Sequence, residues 1–218
     1  MYGNPKLKRT LIDNADLRWE WFPEASEVVA VTGFYKRLRD PIEQVIVPTS
    51  QLARSFANAH LANNLGIELE ARKSLGFMHD LFKNAYIATN ATLVRSRVEL
   101  SKVQALAQTN RIRPLQGQSN YLVNVALGYQ DAANSAQVSY NVFGKRINQV
   151  GAVGMPDIYE QPFDALEVTA SRKINDRWEI KATAENLLDE ASVYKQGDAL
   201  VQRSYNGVTA TLGLGYRL

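Results

Sequence analysis

Hydrophobic and polar residues alternate in twos along much of this chain, most cleanly near its end. In the run 178–185, Trp178, Ile180, Ala182 and Ala184 fall on one face, and Glu179, Lys181, Thr183 and Glu185 on the other. The final run sets Val208, Ala210, Leu212, Leu214, Tyr216 and Leu218 against Thr209, Thr211, Gly213, Gly215 and Arg217. Successive side chains of a strand point to opposite faces, so a period of two predicts β-structure. A soluble sheet shows the same alternation. Here the polar face carries charge and the apolar face ends in aromatics, as in a membrane barrel with apolar side chains toward lipid and polar ones toward water.

The same period predicts nine strands, over residues 14–22, 27–38, 64–73, 82–94, 120–130, 135–143, 163–174, 178–185 and 208–218. The first sets Ala15, Leu17, Trp19 and Trp21 against Asn14, Asp16, Arg18 and Glu20. The second is rich in β-branched and aromatic residues but divides its faces poorly, so its orientation stays open. Tight turns are expected at 23–26, 131–134 and 175–176, and a modest link at 74–81. Long connections fill 39–63, 95–118, 144–162 and 189–206. Two of them hold stretches with helical spacing, 50–61 and 101–108, read as short helices on loops.

Short and long connections therefore alternate throughout. Outer-membrane barrels, with short periplasmic turns and long external loops, produce that rhythm directly. If the long loops lie outside, Trp21, Tyr129, Trp178 and Tyr216 fall at the periplasmic ends of their strands, and Tyr35 and Tyr121 at the outer ends. Two aromatic belts emerge from a topology fixed without them.

Composition narrows the field little. The chain has 218 residues, 45% hydrophobic and 22% charged, with a formal net charge of +3, too small and scattered to argue for nucleic acid. Without cysteine there are no disulfides, thiolate metal sites or thiol nucleophiles. There is no apolar run of the roughly 18 residues a membrane-spanning helix needs, whereas a barrel strand needs only about 10 alternating ones. The first residues, Met1 to Lys6, are not followed by the apolar stretch of a signal peptide. A barrel read from this chain is therefore expected to lack its true N-terminus.

Asn186-Leu187-Leu188-Asp189, closing the eighth strand, resembles the Asn-Leu-hydrophobic-Asp signature near the end of TonB-dependent receptors. Asn4-Pro5-Lys6-Leu7-Lys8 is similar to that family's Asn-Pro-x-Leu-Lys-Pro-Glu motif, with Arg9 and Thr10 in place of Pro and Glu. The run 13–20 fits the strand that follows it, and 65–70 looks like a mid-barrel strand. Leu218 stands where an aromatic is usual. The resemblance implies a piece of a transporter whose barrel has 22 strands and a plugged lumen. It implies a Gram-negative outer-membrane location, lipid around the barrel, and a plug and earlier strands outside these nine. It also implies energy from TonB through a region not seen here, and a scarce nutrient such as a ferric siderophore, vitamin or glycan as cargo. A nine-strand sheet with two free edges leaves backbone groups that lipid cannot satisfy, so the chain alone is not expected to insert as a stable monomer.

No serine or aspartate sits in a nucleophile context, so no catalytic residue, cofactor or enzymatic activity is expected. His60 and His79 fall on connections at opposite ends, which argues against a shared metal site. Gly213-x-Gly215 lacks the rest of a dinucleotide fingerprint, and the sequon at Asn90 to Thr92 lies within a strand. The inward charges Asp16, Arg18, Glu20, Glu68, Glu70, Arg72, Glu179, Lys181, Glu185 and Arg217 read either as a ligand or plug contact or as a wetted wall of paired charges. Glu179 and Arg217 are expected to pair across the last hairpin. The long connections 144–162 and 189–206 are the expected ligand-contacting loops, with Arg146, Tyr159, Tyr194 and Lys195 as candidate contacts. Two other architectures fit the alternation: a small complete or oligomeric porin-like barrel, and a soluble all-β binding module with its apolar faces packed together.

Overall fold

A computed structural model of the chain describes residues 2–47, 53–100 and 108–217. Its strands are β1 (Leu11–Trp21), β2 (Val28–Arg39), β3 (Ile42–Val47), β4 (Ala53–Asn58), β5 (Leu61–Ser74), β6 (Ala85–Glu99), β7 (Ile112–Arg113) and β8 (Tyr121–Gln130). They continue with β9 (Asn134–Phe143), β10 (Arg146–Gln149), β11 (Ile158–Glu160), β12 (Phe163–Lys173), β13 (Trp178–Glu185), β14 (Ala191–Gln196), β15 (Ala199–Tyr205) and β16 (Thr209–Tyr216). One antiparallel sheet runs β1-β2-β5-β6-β8-β9-β12-β13-β16, with β7 added beside β6. These nine long strands are the nine that the alternation predicts. Among the described residues the sheet does not close, and β1 and β16 are its free edges.

The register settles which side chains share a face. Leu17, Gly33, Ile67 and Leu93 stand opposite one another in turn, as do Trp19, Val31, Leu69 and Ala91. Residue 32, between Arg18 and Glu68, falls on the other face, so β2 turns its even-numbered residues to the polar side. Among the described residues the apolar face is left open except beside the link that follows β5: Leu17 is 81% exposed and Leu212 is 78% exposed. Along β5 that face runs apolar from Leu65 to Ala71 and is bounded by Asn63 and Lys73. Those bounds are 73 − 63 = 10 steps apart, roughly 33 Å at about 3.3 Å per residue. With a barrel tilt of about 40°, the band stands about 25 Å tall.

Two glycines on the polar face are fixed by the ring opposite each. Phe34 lies across from Gly66 and Tyr86 across from Gly128, and a Cβ on either glycine would run into that ring. Tyr86 is itself held, donating to Gln137 at 3.0 Å while the Arg72 guanidinium stacks on it 3.9 Å from the ring centre. The rings replace the packing a glycine cannot supply.

The helical spacing at 50–61 is overruled. Residues 53–58 form β4, which pairs with β3 from Ile42↔Asn58 to Val47↔Ala53. Residues 50–52 and 101–107 lie outside the described residues, and Gln108 makes a β-bridge to Ala152. The link after β5 contains one short 3-10 turn, Asp80–Phe82, capped by His79.

Candidate ligand-contacting surface at the long-connection end

The connections expected to be irregular loops are the best-packed part of the chain. Of the buried apolar residues among those described, only Ala30 lies in the body of the sheet; Ala59, Ala62, Val98, Ile147, Val150, Ala152 and Ala191 gather at the long-connection end. Residues 144–162 and 189–206 form a second sheet, β10-β11-β14-β15. Each long connection is tied to the next. Glu43 on the first receives both guanidinium nitrogens of Arg113 on the second, at 2.9 and 2.6 Å, with both side chains almost fully buried. Asn110 on the second donates to Asp157 on the third at 2.8 Å, and β11 on the third pairs with β14 on the fourth. The first residues join as well, through Asn4 to the Phe56 carbonyl at 2.8 Å.

This assembly bends inward. Leu115, like Leu38, packs against the buried cluster of Ala59, Ala62 and Val98, and Leu38, Ala62 and Val98 share one cross-strand row on the polar face. Its amide donates to Ser96 at 2.9 Å on the same face. Two cavities flank the segment. One, about 1170 Å³, is lined by Phe34, Val94, Gln118, Lys145 and Tyr159 among others. The other, about 770 Å³, is lined by Glu43, Gln44, Gln116, Arg146 and Glu160 among others.

The four candidate contacts converge on the second sheet but divide by position. Arg146 stands opposite Glu160, and Glu160 opposite Tyr194, in one cross-strand row. Arg146 bonds Glu160 at 2.6 Å, and the Tyr194 hydroxyl lies at the limit of a hydrogen bond, 3.5 Å. Burial, then the Glu160 carboxylate, raises the Tyr194 pKa, so its hydroxyl stays protonated and free to donate. Tyr159 and Lys195 pair in the adjoining row, and Lys145 sits 4.3 Å from the Tyr159 ring centre. Glu160, Lys145 and the Glu43–Arg113 pair went unread in the sequence, where isolated charges on a loop look solvated.

The inward charges occupy the polar face but do not act as one group. Arg18 bridges Glu20 at 2.5 Å and Glu70 at 2.7 Å, and donates to Thr32 at 3.2 Å, so this patch is a wall of paired charges. Asp16 accepts from Asn14. The expected Glu179–Arg217 pair does not form among the described residues. Glu179 faces Gly215, while Arg217 falls beyond the strand end beside Arg177; both line one small cavity without touching. His60 lies at the long-connection end and His79 at the short-turn end, where its ring accepts from the Leu81 amide at 3.2 Å.

At the short-turn end Asp131 accepts from the amides of Ala133 and Asn134, the Asn134 side chain and the Tyr129 hydroxyl. These bonds favour its charged form, led by the Ala133 amide, and hold its pKa far below the usual carboxylate value near 3.8. A lowered folded-state pKa contributes stability above the unfolded value, and that contribution is lost only as pH falls through the folded one. Amide exchange at Ala133 and Asn134 is therefore expected to stay slow from neutral pH to below about 4, near the free carboxylate value. Asp131→Ala should accelerate it throughout that range.

Comparison with known proteins supplies the deciding observation. The family model described as TonB dependent receptor-like, beta-barrel matches residues 1–187. The chain belongs to this family. It is a family of receptors and transporters, not of enzymes. The sheet superimposes on the FrpB iron transporter from Neisseria meningitidis (TM-score 0.66, 14% identity), covering 97% of this chain and 31% of that one. It matches a copper transporter, OprC, with TM-score 0.70 at 15% identity, over 97% and 32% of the two chains. For the ferric yersiniabactin uptake receptor FyuA from Yersinia pestis the values are 0.64 and 17%, over 95% and 30%. The chain thus spans about a third of the receptors it matches. Nothing among curated protein sequences matches it significantly. At these identities the likeness fixes the fold: an open segment of a TonB-dependent receptor barrel.

Proposed function

We propose that these residues form the C-terminal portion of the barrel of an outer-membrane receptor that imports a scarce nutrient with energy from TonB. The family match carries the reading, and the apolar band supports it. A face left uncovered by protein, about 25 Å tall and edged by polar side chains, suits a bilayer's hydrocarbon. In this reading the opposite face lines a wet lumen, the plug and remaining strands complete the barrel, and the 10-residue link and tight turns face the periplasm. Ligand meets the long-connection assembly, where Tyr159 and Arg146 each line one cavity and Lys195 and Tyr194 stand across from Tyr159 and Glu160 on the next strand. Iron and copper transporters share the fold, so the cargo is set by these side chains and not by the sheet.

The test is fractionation of the full-length product from its own cells, followed by growth of a deletion strain on a panel of ferric siderophores, copper, vitamins and glycans. A heat-modifiable outer-membrane band and a growth defect on one nutrient, reproduced by removing TonB, are expected. A product in the soluble fraction, or growth equal to wild type on every nutrient, overturns the proposal.

A further inference from the structure

The link between β5 and β6, residues 75–84, is unusually greasy for a turn. Phe77 is 72% exposed, Met78 62% and Leu81 79%, although an ordinary connection of this size is polar. The link is nonetheless ordered. Leu75 donates to the Ala85 carbonyl at 2.9 Å, Gln130 to Asn84 at 2.9 Å, and His79 caps the 3-10 turn. It does not fold over the polar face. With Leu75, Met78 and Phe82 it overhangs the apolar one, enclosing a cleft of about 370 Å³ against Leu127, Ala136 and Val138. That volume lies in the range of small-molecule sites, roughly 300–1,000 Å³.

The surroundings select the occupant. The cleft is continuous with the apolar band, because Leu127, Val138 and Val168 form one cross-strand row of it. Tyr129, from the aromatic belt at the short-turn end, lines it too. Of the exposed cations at that end for which no ion pair exists among the described residues, two stand close in the chain or register to residues that line the cleft. Arg172 lies one outward position beyond Ala170, which pairs with Ala136; Lys83 ends the 3-10 turn. An apolar slot with cations next to its lining residues complements a lipid chain joined to a phosphate.

We propose that residues 75–84 lie in the membrane interface and clamp one acyl chain of a phospholipid against β8, β9 and β12, with its phosphate at Lys83 and Arg172. This rests on the reading of the apolar face as lipid-facing. The link then works as a wedge in the periplasmic leaflet, fixing the depth at which the barrel sits.

The test uses the full-length protein carrying this chain, purified from outer membranes, exchanged with vesicles of phosphatidylethanolamine and phosphatidylglycerol, and examined by native mass spectrometry in mild detergent. One phospholipid is expected to remain bound to the wild type. Ala136→Trp, which fills the cleft, should abolish retention, while Leu212→Trp, elsewhere on the same face, should leave it intact. The double variant Lys83→Gln/Arg172→Gln should lower retention without altering heat-modifiable migration. Equal retention in wild type and Ala136→Trp, or none in wild type, overturns the inference while the receptor reading stands. A photo-crosslinker at Met78 that captures a polypeptide instead of lipid also overturns it. Absence of the protein from the outer membrane overturns both.

Discussion

Arg113→Ala is expected to unfasten the long-connection assembly while leaving the nine-strand sheet intact. The guanidinium and the Glu43 carboxylate are 2% and 3% exposed, so the substitution strands a carboxylate where water hardly reaches. Breaking a buried pair from one side costs roughly 3–5 kcal/mol, because the partner's desolvation is no longer offset. The loss should spread, since Glu43 also accepts from the Gln116 amide at 3.3 Å and Arg113 donates to Gln108 at 3.2 Å. Hydrogen exchange on the full-length protein should show lost protection in β3, β4 and residues 112–119 and none lost in β13 or β16. The double variant Arg113→Met/Glu43→Leu should recover most of that protection, because a pair of apolar residues leaves no buried charge. A single variant indistinguishable from wild type, or a double one as damaged as the single, would show that the pair does not fasten the assembly.

That buried pair also marks the limit of what the sequence discloses. The long strands are legible because each separates two different environments, and the separation is written at every second position. Trp178 to Glu185 needs no knowledge of its neighbours to be read. Even β2, whose faces looked mixed, is resolved by pairing: Thr32 sits between Arg18 and Glu68, and Val31 between Trp19 and Leu69. The short strands β3, β4, β10, β11, β14 and β15 carry no such record. With 3 to 7 residues each, they are too brief for a period to show, and one of their pairings, β11 with β14, joins two separate connections. Phe56 in β4 and Ala59 just beyond it have helical spacing, yet the β4 backbone groups are taken by β3 and by the first residues of the chain.

The candidate contacts were half legible for the same reason. Arg146 and Tyr194 are residue types suited to a ligand on a long loop, and both border the Glu160 carboxylate. Glu160 itself could not be selected, since only the folded register places it between them. Arg217 failed in the opposite way. Its face was right, but the strand ends one residue before it, and the expected ion pair is lost to that offset.

Leu69→Arg is expected to be the most damaging single change on the sheet. Leu69 lies mid-band on β5, between Val31 and Ala91, and is half-exposed on the uncovered apolar face. An arginine there should cost about 2–4 kcal/mol at the bilayer midplane. Its chain neighbour Glu70→Gln should cost no more than about 1 kcal/mol, since it only weakens a partly exposed bridge to Arg18 on the polar face. Cost alone does not identify lipid, because a charge buried between two packed sheets is also damaging. Leu69→Trp makes the distinction. Fluid acyl chains accommodate the larger ring, whereas overfilling a close-packed core costs typically 1–3 kcal/mol. Outer-membrane yield and heat-modifiable migration of the full-length protein should therefore collapse for Leu69→Arg and hold for Glu70→Gln and Leu69→Trp. Loss of both Leu69 variants together would mean that protein, not membrane, covers this face.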